Sequence, residues 1–219
     1  MGTHRARCGY ARHGSFGDEY RTSTLYFDTA ENHVFHRRGS YARAKYRIRR
    51  YGDSDTVFLE RKLRRPGVLV KRRTQVALLE LERWDVADTS YLSLAEWFRS
   101  RTAIRALRPV CQVSYHRMAR VLDTGTGLAR LTLDQSLRVA AVSRAQFTSD
   151  PGTVVLPDLI LELKFKSHVP TIFKRLVEDC HLRPQTASKY RLGRTSLNDY
   201  TLTSQPSPSA VTTGRSEYA

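Results

Sequence analysis

Apolar and polar residues alternate with a period of two through much of this chain, and that alternation predicts β-strands. Ser23–Asp28 (STLYFD) is the first, Tyr41–Tyr51 (YARAKYRIRRY) the second and Thr56–Leu63 (TVFLERKL) the third. The GDSD stretch between the last two supplies a reversal, because Gly and Asp tolerate the backbone angles of a tight turn. RRPG at residues 64–67 breaks the pattern and Val68–Leu78 resumes it. Further strands are predicted over Val110–Met118, Leu128–Asp134, Leu137–Val142 and Asp158–Phe165, with a DTGTG turn before the second and a Ser/Asp/Pro/Gly link near 149–152. Short connections favour an antiparallel meander. Helical signals are fewer. Ser93–Glu96 has the spacing of a capping box ahead of Trp97 and Phe98, with Pro109 closing the segment. Pro170 suits a first helical turn, and Ile172, Phe173, Leu176, Val177 and Cys180 follow as an apolar stripe. A last helix is predicted over Ala187–Leu197. The expectation is an α+β domain with about eight antiparallel strands and two or three flanking helices.

The polar halves of these strands are unusually cationic. Arg43, Lys45, Arg47 and Arg49 recur at every second position, so a strand over 41–51 puts all four on one face. Elsewhere Phe58, Glu60 and Lys62 share a face, as do Lys71 and Arg73, Tyr115 and Arg117, Arg130, Thr132 and Asp134, and Glu162 and Lys164. Two arrangements fit. One is a half-exposed sheet with a basic outer surface; the other is a barrel with charges lining a wet lumen and apolar residues packed outward against helices. Like charges side by side across strands repel. A multiphosphate ligand would replace that repulsion with charge-assisted hydrogen bonds worth about 1.5–3 kcal/mol each, which favours the enclosed arrangement.

Composition supports an anionic partner. The 219 residues include 37 Lys and Arg against 21 Asp and Glu, a net charge of +16. Such a balance points to nucleic acid, an anionic membrane or phosphate compounds. The three cysteines, Cys8, Cys111 and Cys180, form no C-x-x-C pair, so neither a zinc site nor a disulfide framework is indicated and a reduced, cytoplasmic setting is expected. No apolar run reaches the roughly 20 residues of a membrane span, and the start lacks the apolar core of a secretory signal. Residues 1–21 read as a loop or the remnant of a truncated N-terminus, 22–199 as the domain and 200–219, rich in Ser, Thr and Pro, as a disordered tail. His36 and His116 lack metal-ligand spacing, and Ser40, Ser114 and Ser188 lack a nucleophile context. Trp84 and Trp97 read as core. Tyrosines 41, 46 and 51 on a basic sheet could stack bases; Glu60, Asp134 and Glu162 on the cationic faces argue against a nucleic-acid backbone there.

The stretches STLYFDTAENHVFHRRG, YRIRRYGDSDTVFLERK, VKRR, VSYHR, LARLTLD, LILELKF and SKYRLG, in this order, resemble the VTC domain (vacuolar transporter chaperone family). That family is the polyphosphate polymerase branch of the triphosphate tunnel (CYTH-like) proteins. The resemblance covers about Thr22 to Leu197. It implies an antiparallel tunnel in which the γ-phosphoryl group of ATP passes to a growing inorganic polyphosphate chain, with Mn²⁺ or Mg²⁺. Arg38, Arg47, Arg49, Lys62, Lys71, Arg117 and Arg130 fall on the family's phosphate-binding positions, Tyr115 on a tyrosine near the phosphates, Glu162 on the metal-site glutamate and Lys189 on a lysine needed at the tunnel. Of these, Arg47, Arg49, Lys62, Arg117 and Lys189 are expected to serve the transfer itself. Glu60 is either a second metal ligand or the partner of Lys62, with the ion pair preferred. Family members begin with a Glu-x-Lys strand and a helix that this sequence lacks. The chain is therefore expected to be a metal-dependent phosphotransferase, or else a triphosphatase or non-catalytic triphosphate binder; a nucleic-acid-binding basic sheet is the further alternative.

Overall fold

The computed structural model describes residues 18–82, 94–124, 127–150, 152–155, 157 and 159–203. The strands are β1 (Glu19–Asp28), β2 (Ala44–Tyr51), β3 (Thr56–Arg65), β4 (Val68–Ala77), β5 (Arg108–Asp123), β6 (Leu128–Ala141), β7 (Thr153–Val154) and β8 (Leu159–Lys164). They form one antiparallel sheet in the order β4-β3-β2-β1-β5-β6-β7, with β8 also paired to β6. The predicted reversal between β2 and β3 holds, with the Ser54 amide bonded to the Tyr51 carbonyl. Pro66-Gly67 joins β3 to β4 with Gly67 at φ +67°, the sign that the third position of a type II turn requires. The helices are α1 (Leu79–Glu82), α2 (Glu96–Ile104), α3 (Thr171–Asp179) and α4 (Lys189–Thr203), with a short 3-10 turn at Gly39–Arg43.

Several local expectations are corrected. Arg43 lies in the 3-10 turn, so the cationic row on β2 has three members, Lys45, Arg47 and Arg49. The stretches at 128–134 and 137–142 form one strand, β6: its ladder with β5 shifts register between Ser114 and His116, and Ser136 takes φ +55°. The polar Gln135-Ser136 pair is thus absorbed as a bulge rather than ending the strand. Helix α2 stops at Ile104, where Ala106 turns left-handed and the Leu107 amide bonds back to Thr102. Pro109 instead sits within β5 at its irregularity against Phe27, a place where a missing N–H is tolerated. In α3 the stripe is only partly core, with Phe173 buried but Ile172 and Cys180 exposed. Ser93, Trp84, Cys8 and the tail beyond 203 lie outside the described residues. No helix among the described residues is long and apolar enough to cross a membrane.

One face of β1–β4 is the core. Leu25, Phe27, Tyr46, Ile48, Val57 and Leu59 are buried there. Phe98 of α2 meets Phe27 and Tyr46 edge-on with centroids 5.3 and 5.6 Å apart. Beside it the Trp97 indole donates to Thr74 Oγ1 at 2.9 Å, and the Arg72 guanidinium lies 4.2 Å from its ring. Every inward apolar position fixes its neighbours on the opposite face by the pleat, so this core sets where the cations point.

The sheet curls but does not close. Lys62 on β3 and Glu162 on β8 are five strand spacings apart along the sheet, roughly 24 Å were it flat. Burial and the charges of Arg47, Lys71 and Arg64 lower the Lys62 pKa, yet the Glu162 carboxylate is close enough to oppose them. The two ends of the sheet therefore turn toward each other across the cationic face. The expected barrel is nevertheless open, because β4 at one edge and β7 and β8 at the other share no ladder. Lys71, Arg72 and Arg73 make β4 a like-charged edge, and β7 offers only two residues for pairing.

Helix α4 lies against the cationic side of the sheet at one end of this groove. Tyr190 packs on Tyr26 with centroids 5.3 Å apart and donates its hydroxyl to Asp28 Oδ2. Gly193 follows where a Cβ would come 3.0 and 3.1 Å from methyl groups of Val139 and Val113. Glycine is what lets the helix approach the strands so closely.

Candidate functional site

Strand register orders the cations of β2, β3 and β4 into transverse rows. Lys45, Lys62 and Lys71 form one, Arg47, Glu60 and Arg73 the next, and Arg49, Phe58 and Gln75 a third. Glu60 stitches the middle row together. Its carboxylate meets Arg47 Nε at 2.6 Å, Arg73 Nε at 3.4 Å and Arg49 Nη1 at 4.0 Å. Its partners are therefore the three arginines and not Lys62, which stands one row away. Arg49 is only 7% exposed and also donates to Thr24 Oγ1 at 3.3 Å.

The facing half of the groove comes from β1, β5, β6 and β8. Arg117 bonds Asp134 through two nitrogens at 2.6 and 2.7 Å, and Lys189 of α4 reaches the same carboxylate at 2.6 Å. Tyr115 lies beneath both cations, its ring 5.3 Å from Arg117 and 5.1 Å from Lys189. Arg130 stands beside Tyr20 at 3.5 Å, and Glu162 pairs with Lys164 at 2.8 Å. The hydroxyls of Thr22, Tyr115 and Thr132 and the Nε of Arg130 are buried with no hydrogen-bond partner among the described residues. Thr22 and Tyr115 are direct cross-strand neighbours, and Thr132 is opposite Glu162. Unmet polar groups of this kind cost about 1–3 kcal/mol each unless something polar occupies the space before them.

The groove's charges shift one another's protonation. Burial pushes the Glu60 carboxyl up, but Arg47 and Arg49 outweigh it and hold it below the usual range. Asp134 follows the same balance, burial opposed by Arg117 and Lys189, with the net shift downward. A carboxylate depressed in the folded state contributes stability that is complete above its unfolded pKa and is lost as pH falls through the folded one. Unfolding free energy should thus hold between neutrality and about pH 5 and fall progressively below about pH 4. In the Glu60→Gln variant, urea titrations across that range should show a shallower fall.

Divalent-metal binding can be tested on the donor set. Among the described residues no group of three or more His, Cys, Asp or Glu side chains converges as a metal cluster. Glu60 and Asp134 are committed to cations, whereas the Glu162 side chain is 44% exposed with one contact to Lys164. A lone carboxylate facing a cationic groove fits a hard ion that draws its remaining ligands from a bound anion and water. A resident all-protein metal cage does not fit.

Of the residues read from sequence, Arg47, Arg49, Lys62, Lys71, Tyr115, Arg117, Arg130, Glu162 and Lys189 share this groove. Arg38 does not join them by any described side-chain contact; it is exposed where the 3-10 turn begins. Its neighbour Arg37 is the one whose charge reaches Lys45. His36 and His116 are exposed. Sequence reasoning did not assign a site role to Lys45, Arg73, Ser188 or Arg191, or to Asp134 as the clamp of two cations. Lys45 and Arg73 carried the period-two signal. Arg37, Ser188 and Arg191 lie in a loop and at a helix start, where no periodicity marks them.

Comparison with known proteins agrees with this architecture. No curated protein matches the sequence. The crystal structure of a candidate adenylate cyclase from Bacillus halodurans superposes with a TM-score of 0.50 at 16% identity, covering 80% of this chain and 82% of that one. A candidate adenylyl cyclase from Hippeastrum, described as having a dominant triphosphatase activity, gives 0.43 at 15% identity over 81% and 82% of the two chains. The first of these likenesses is one of fold, an antiparallel sheet with few flanking helices, here open along one side. The family model described as the VTC domain matches residues 4–198, and the chain belongs to the VTC domain family.

Proposed function

We propose that the groove binds a row of phosphates and that the domain transfers the γ-phosphoryl group of ATP to a growing inorganic polyphosphate chain. The supporting observation is the convergence of Lys45, Arg47, Arg49, Lys62 and Lys71 with Arg117, Arg130 and Lys189 across one curled face, where cations outnumber the carboxylates Glu60, Asp134 and Glu162. Phosphoryl transfer asks mainly for positioning and charge stabilisation, which such a surface supplies. Arginine forks on the buried rows suit individual phosphate oxygens, and the more exposed lysines act as point charges along the chain. Glu162 would hold Mn²⁺ or Mg²⁺ carried on the nucleotide, and the ion would neutralise charge on the phosphate oxygens. β4 and β8 share no ladder, and the gap between them would give a lengthening product a route out. We place this activity in the cytoplasm, where ATP is abundant and thiols such as Cys111 and Cys180, both free here, stay reduced.

Incubation with ATP and a divalent ion tests the reading. Chain growth, resolved by gel electrophoresis, is the expected result. Orthophosphate release without chain growth would instead make the domain a triphosphatase, and equal affinity for an oligonucleotide of matched charge would overturn the phosphate-chain assignment. Glu162→Gln should lower metal-dependent turnover at least about 100-fold while leaving triphosphate binding without metal nearly unchanged; full turnover in that variant would remove Glu162 from its role.

A further inference from the structure

Lys45 occupies an unusual position in the groove. It is half-buried at the α4 end, and its Nζ contacts Ser188 Oγ at 3.2 Å, a neutral partner. The other groups that act on it most strongly are all cations: Arg37 from the loop after β1, Lys62 on β3, Arg47 on its own strand and Arg191 on α4. Of the groove's carboxylates, Glu60 is engaged by three arginines, Asp134 by Arg117 and Lys189, and Glu162, which acts on the neighbouring Lys62, by Lys164. Lys62, the next lysine in the row, is flanked by Arg47 and Lys71. An ammonium in such company is destabilised by burial and by like charge together. Burial and those neighbours bring Lys45 down to about 8.

We propose that Lys45 is an anion-binding residue of this groove whose proton arrives from solvent with the ligand, so that phosphate binding is coupled to proton uptake. This rests on the groove being the phosphate site proposed above. Before binding, part of the population carries a neutral amine, which donates to Ser188 or accepts from its hydroxyl. When a phosphate oxygen enters the row, its negative charge stabilises the ammonium, a solvent proton adds to the amine, and Lys45 becomes a full charge partner of the ligand. The row thereby avoids holding three adjacent ammonium groups together while nothing neutralises them. Specificity follows. A ligand of high charge density raises the Lys45 pKa most and gains most from it, so triphosphate should be favoured over a singly charged oxyanion by more than their contacts alone would give.

Calorimetric titration of the full chain with inorganic triphosphate, near pH 8 in two buffers of different ionisation enthalpy, measures the protons exchanged. Titration of the ligand itself is common to all variants and drops out of the comparison. The expected result is an uptake of about half a proton in wild type over that in Lys45→Arg, whose guanidinium is always charged. Relative to Lys45→Arg, wild-type affinity should fall up to about tenfold per pH unit above pH 8. Lys45→Gln, which keeps a donor for Ser188 without a charge, should bind more weakly and show no excess uptake. Equal proton exchange in wild type and both variants, with tight binding throughout, would overturn the proposal and leave the groove assignment standing. Absence of triphosphate binding at every pH in the folded wild type would instead sink the groove assignment and this inference with it.

Discussion

Replacing Asp134 with alanine is expected to lower the unfolding free energy by about 3–5 kcal/mol, seen as a large drop in the urea midpoint. Asp134 has no exposed surface, yet it receives two bonds from Arg117 and one from Lys189. Removing it leaves the Arg117 and Lys189 side chains, 10% and 14% exposed, both without their carboxylate. The loss of an attractive pair is the smaller part of this effect. The larger part is the desolvation of charges that nothing then balances. Replacing Arg117 with Met at the same time should recover part of the loss, because the stranded charge goes with it. A change below about 1 kcal/mol in the single variant would mean that the two cations find water instead, and that the groove floor is wetter than its packing indicates.

Arg49→Ala should weaken triphosphate binding by about 10- to 100-fold, the loss of one charge-assisted contact of about 1.5–3 kcal/mol. The fold should survive, since Glu60 keeps Arg47 at 2.6 Å and Arg73 at 3.4 Å. Arg47→Ala should cost less affinity, because the Arg47 Nε is already committed to Glu60, whereas Arg49 approaches that carboxylate only to 4.0 Å. Arg49→Lys should restore only part of the binding, since an ammonium lacks the planar fork. Calorimetric titration with circular dichroism as a folding control separates these outcomes. Unchanged affinity in Arg49→Ala would count against phosphate binding on this face.

Period-two alternation made most of the sheet legible, because β1, β2 and β3 each bury apolar residues on one face and a register slip would invert every residue. It also set Lys62, Lys71, Arg117 and Arg130 on the cationic faces of their own strands, while their grouping in one site followed from the family resemblance. Three features escaped it. Strand β6 reads as two strands because Gln135-Ser136 resembles a turn, and only its pairing with β5 shows that the extra residue is a bulge. Barrel closure could not be read because it depends on whether β4 meets β8, a contact between residues some ninety positions apart with no local signature. The ion-pair partners were misjudged for a related reason. Periodicity assigns Glu60 and Lys62 to one face of one strand, while cross-strand register decides that Glu60 lies between Arg47 and Arg73.

An open sheet must also protect its free edges, and β4 does so with charge. Val68 and Leu69 are exposed at its start, but Lys71, Arg72 and Arg73 follow directly. Two molecules approaching edge to edge through β4 would set these runs against each other. Such protection depends on ionic strength, since at 1 M salt the screening length shrinks to about 3 Å. Lys71 and Arg73, which also face the groove, thus join Arg72 in keeping neighbouring molecules apart in dilute salt. Concentrated salt should release that restraint and leave the exposed strand free to pair with its own copies.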